Sequence, residues 1–193
     1  MTTIISKVSF TQNDVIEYIQ HGCEWQHPPS HAVKNIKHIS LELTSEGGQP
    51  AKGVFFYPSP TPSSLIFIST LYDGWDSLLY CIANFTSSSY TTIRIIDADE
   101  PLREFRHYSH TKTERIIRAS KENRRWEFFQ HGAPLSLEET DHYTSRKISN
   151  RLPATLLHSY AKKLDANYLL DNFFTTNKPS LWINESWQDS TIP

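Results

Sequence analysis

The stretch that decides the fold is Thr91–His131, "TTIRIIDADEPLREFRHYSHTKTERIIRASKENRRWEFFQH". Four runs within it, "TTIRIID", "LREFRHYS", "TERIIRAS" and "RWEFFQH", alternate apolar with polar side chains. A period of two is the signature of a half-buried strand, and the connections between the runs are short and polar. Four such strands in succession predict an antiparallel meander.

Upstream, "HISLELT" (38–44) places Ile39, Leu41 and Leu43 on one face, "EGGQPAKG" is a turn and "GVFFY" a strand, which together predict a hairpin. "LIFIST" is a short buried strand. Between it and the meander the period becomes helical. Trp75, Leu78, Leu79, Ile82 and Phe85 form one stripe, and Asp73 or Asp76 is placed to cap the helix start. Residues 11–22 predict a short helix capped by Thr11 or Asn13 and ended at Gly22, followed by a loop around Pro28 and Pro29. Downstream, Ser136 and Glu139 have capping-box spacing and predict a helix over about 137–148. "NRLPATLLHSYAKKL" is another helix, and the aromatic tail "NYLLDNFF…PSLWINESW" is expected to dock. Strands in series with helices around them give an α+β fold: one domain over 1–193, with helices packed on one antiparallel sheet.

Composition narrows the function classes. The chain has 193 residues, 38% hydrophobic and 12% aromatic, enough for one real core. Mean hydropathy is −0.49, and no run approaches the length of a spanning helix. The start, "MTTIISKVSF", lacks the features of a signal peptide, and with two cysteines, read as thiols, the expectation is a cytoplasmic protein. The net charge of −2 argues against a nucleic-acid partner, as does the facing of the cations: on strands, Arg115 and Arg118 point opposite ways, as do Arg103 and Arg106. The charge is nonetheless uneven. Residues 103–125 hold eight bases and three acids, and residues 165–193 hold four acids and one lysine.

Sites of chemistry are sparse. His21, Cys23, His27 and His31 are types that ligate zinc, but their spacing matches no standard finger and a solvated loop is the plainer reading. No Gly-x-Ser-x-Gly elbow, phosphate loop or dinucleotide fingerprint occurs, and Cys81 borders the apolar stripe of its helix. Asp97, Asp99 and Glu100, in "DADEP", are placed to bind a cation or act as acid and base, yet a polar turn is the commoner meaning. A small metal-dependent or acid–base hydrolase is therefore the second reading, a nucleic-acid-binding module with Phe105, Tyr108 and Trp126 interleaved among the basic strands is the third, and no cofactor is expected.

The span Trp126–Leu152 resembles a pattern in small bacterial cytosolic immunity proteins of toxin–immunity systems, through Trp126, Phe128, Gly132, Pro134, Leu135, Glu138, Tyr143, Arg146, Ile148, Arg151 and Leu152. The resemblance covers about a seventh of the chain. It implies a non-enzymatic protein that binds a cognate toxin and covers its active site. Net acidity suits a toxin with a cationic site, such as a nuclease, and the residues expected to meet it are Asp73, Asp76, Asp97, Asp99 and Glu100 with Trp75 as an anchor. Core packing is the competing role for Trp75. Phe129 poses the sharpest question. It shares a strand face with Glu127 and His131: burial there means helices on both sides of the sheet, and exposure means a binding edge.

Overall fold

The computed structural model describes residues 2–43, 50–111 and 114–185. The meander forms as the alternation predicts: β5 (Ser89–Ile96), β6 (Leu102–Ser109), β7 (Glu114–Glu122) and β8 (Arg125–His131) pair antiparallel in sequence order. They are one wing of a nine-stranded sheet. The other strands are β1 (Thr2–Val8), β2 (Ser30–Lys34), β3 (Lys52–Phe56), β4 (Leu65–Ser69) and β9 (Ser180–Asn184). The order is β2-β9-β3-β4-β1-β5-β6-β7-β8, antiparallel throughout. The fold is α+β.

Helices lie on both faces. On one side α1 (Gln12–Glu17), a π turn (Tyr18–Gly22) and α2 (Asp76–Phe85) bury Val8, Phe55, Phe67, Tyr90 and Leu181. On the other α3 (Ala154–Lys163) buries Ile5, Phe56, Ile66, Ile93, Phe105 and Ile117. The central strands are thus covered twice: Leu65 to Ser69 are all buried, as are Ile4 and Ile5 in succession. Thr11 caps α1 in a reciprocal box, accepting from the Asp14 amide (3.2 Å) while its own amide donates to the Asp14 carboxylate (2.6 Å).

Four expectations are corrected. Residues 38–43 form no strand, only a bridge from His38 to Thr175, and Thr44 lies outside the described residues, as does the first half of the following turn. The strand expected to pair with them, β3, lies between β4 and β9 instead. The loop after Pro29 enters the sheet as edge strand β2. No helix spans 137–148; two short 3-10 turns, Thr140–Thr144 and Ile148–Asn150, replace it. The reason is a tertiary contact. Glu138 turns inward to a buried Arg115, and Glu139 accepts from Lys163 (2.9 Å) and Ser159 (3.2 Å) rather than from Ser136. The tail docks as expected, over Ser180–Asn184.

Candidate functional site

The α1–α2 layer is narrower than the sheet. Tyr90 on β5 and Tyr108 on β6 enter its core, but no described residue of β7 or β8 does. Beyond β6 that face of the sheet carries polar rows set by register. Arg94, Glu104, Arg118 and Phe129 stand directly opposite one another on four successive strands, and Thr92, Arg106, Ile116 and His131 form the next row.

The first row is an ion cluster ended by an aromatic. Glu104 is buried although no helix covers it, because Arg94 and Arg118 lie across it and both bond its carboxylate. Burial pushes the Glu104 carboxyl up, but the two guanidinium charges and their hydrogen bonds outweigh this and hold it below the usual carboxylate range. Arg94 also donates to the Tyr72 carbonyl (3.2 Å), tying the loop before α2 to the sheet. Arg118 remains 40% exposed, and Phe129 beside it is 53% exposed. In the second row Arg106 donates to Asp76 (2.6 Å), which also accepts from the Tyr90 hydroxyl (2.8 Å). Burial works against the Arg106 charge, but Asp76 and Glu104 raise its pKa overall.

The opposite face of the wing is filled. Trp126 and Phe128 pack on the α3-side core, with Arg103 over the Trp126 ring at 5.5 Å and Arg151 over Phe128 at 5.5 Å. Arg103 and Arg106 therefore do face apart, as do Arg115 and Arg118. Among the described residues β8 is the last strand and pairs with β7 alone, so no described strand lies on its outer backbone edge.

The acidic residues singled out in the sequence are dispersed around this site. Asp76 is half-buried and holds Arg106. Asp73 is exposed, its side chain accepting from the Trp75 amide (2.8 Å). That bond fixes the turn in which Gly74 and Trp75 both have positive φ (76° and 57°), an unusual state for a bulky residue. Trp75 is buried, 3% exposed, in the α2-side core. Glu100, exposed, borders a shallow cleft with Arg94 and Arg118 on the uncovered face. Asp97 is exposed, pairs with Arg103 (3.5 Å) and acts on His158 and Tyr168 of the α3 side. Asp99 is exposed in the same turn. Asp76 and Glu100 thus adjoin the uncovered face, and Asp97 belongs to the other side.

The thiols Cys23 and Cys81 are free and half-buried. The described residues hold no group of three or more His, Cys, Asp and Glu side chains placed for a metal. His31 lies on β2 opposite Ile183, and His21 lies in the π turn. No described helix is long and apolar enough to cross a membrane.

Phe129 and His131 were legible as a face, whereas the row that supports them was not, because only register shows which arginines meet Glu104. Comparison with protein-family models, curated proteins and solved structures finds no match.

Proposed function

We propose that this chain is a non-enzymatic binding protein that docks a protein partner on the uncovered face of β6–β8. The carrying observation is Phe129, a large aromatic side chain 53% exposed on a rigid strand, adjacent in register to the half-exposed Arg118. Aromatic and arginine side chains supply most hot-spot energy at protein interfaces. Here both are held by the sheet, so little ordering is needed on docking. Following the resemblance of Trp126–Leu152, the partner is a toxin that the chain neutralises by covering it. Asp76 supports the face through Arg106, and Glu100 and the exposed Glu127 lie at its margin as polar rim.

The test is co-expression with the product of the adjacent gene, scoring cell survival and co-purification. Wild type is expected to protect and to co-purify, and folded Phe129→Glu to do neither. Wild type failing to bind would remove the toxin; Phe129→Glu binding like wild type would remove this face.

A further inference from the structure

A cleft of about 570 Å³ opens between the π turn and α2. Four aromatic residues line it: Tyr18, Trp25, Tyr80 and Phe85. Tyr80 and Phe85 are 47% and 42% exposed, and Phe85 stands outside the buried stripe that helical spacing predicts for it. The rings are braced. Gly22 closes the π turn so tightly against Phe85 that a Cβ would come within 2.5 Å of the ring. Tyr18 meets Phe85 edge-on at 5.6 Å, and Tyr80 rests on Tyr108 at 4.8 Å. Single π turns inside helical segments recur at functional sites.

The cleft's charge indicates what it takes. Among its lining residues Glu24 alone is charged, and it is an acid. Elsewhere the chain covers its own aromatic faces with cations: Lys34 over Trp182, Arg103 over Trp126, Lys178 over Tyr57. Among the described residues none does so for these four rings. A quaternary ammonium has no N–H donors to satisfy and is attracted by ring faces and a carboxylate alike.

We propose that this cleft binds a small organic cation bearing a quaternary ammonium group. The site is independent of the docking face and of any toxin. Isothermal titration of the full chain with choline and with its neutral isostere 3,3-dimethylbutan-1-ol tests it. Choline is expected to bind saturably and at least about fivefold more tightly than the isostere. Tyr80→Leu, which keeps the apolar surface but removes the ring, and Glu24→Gln are each expected to weaken choline about threefold or more while circular dichroism stays unchanged. Equal binding of the two ligands, no saturable binding of choline, or unaltered binding by Tyr80→Leu would overturn the proposal.

Discussion

Arg115 and Glu138 show how one pair fixes a local path. Both side chains are buried, 1% and 0% exposed, and meet at 2.7 Å. Every neighbour is arranged around them. Arg115 donates to the His131 and Gly132 carbonyls (3.1 and 2.9 Å), and Glu138 accepts from the Leu135 amide (2.8 Å) and the Tyr143 hydroxyl (3.0 Å). Gly132 has φ 79°, and a Cβ there would run into the Glu114 carbonyl, so the chain leaves β8 by a path only glycine permits. Gly132, Leu135, Glu138 and Tyr143, all positions of the immunity-like pattern, therefore serve one structural clamp. Removing one partner strands the other charge in a dry site. Glu138→Ala is expected to destabilise by about 3–5 kcal/mol in urea unfolding, and the double change Arg115→Met/Glu138→Leu to recover most of that loss. Equal losses for both would show that the clamp acts by packing and not by charge. None of this was legible from sequence: 23 positions separate the pair, and Ser136–Glu139 offered a local alternative that the buried arginine overrode.

At the scale of elements, periodicity read well where a strand has one dry and one wet face, as in β7. It failed at β1, β2 and β9. β1 is buried on both faces and so has no clean alternation, and β2 and β9 are five-residue strands that pair across about 150 positions. β8 is where the two faces matter most. Phe128 and Phe129 are neighbours with opposite surroundings: Phe128 lies 5.8 Å from the Tyr143 ring, while Phe129 faces outward past the end of the α2 layer. Helices do cover both sides of the sheet, yet the layer stops short of Phe129, so exposure rather than burial answers the question its position raised. Phe128→Ala should therefore cost about 2 kcal/mol, less than a fully buried phenylalanine, whereas Phe129→Ala should stay within about 0.5 kcal/mol. Thermal melts of the two variants side by side check this. A large loss at Phe129 would mean that the ring holds the fold and is not free for a partner.

For the whole molecule, the two layers place titratable groups in dry positions whose responses to acid separate by pH. Burial lowers the pKa of His107, whose ring nitrogen bonds the Thr91 hydroxyl (2.9 Å), and of His158, where Asp97 partly opposes the effect. The unfolded chain therefore takes up these protons first. Stability from the neutral histidines is complete above about pH 6.5 and declines as pH falls from there through their lower folded values. Glu104 responds later. Its folded pKa also lies below the unfolded one, so its contribution is complete above about pH 4.3 and is lost only as pH falls through the folded value. Melting temperature should thus fall in two stages on acidification, one starting near pH 6.5 and one below about pH 4.3. Glu104→Gln leaves Arg94 and Arg118 without their shared carboxylate. It should lower the melting temperature at pH 7 and flatten the acid stage while leaving the histidine stage in place. A Glu104→Gln protein with an undiminished acid stage would assign that stage to other carboxylates, and would mean that the Arg94–Glu104–Arg118 row on the uncovered face is not what acid dismantles.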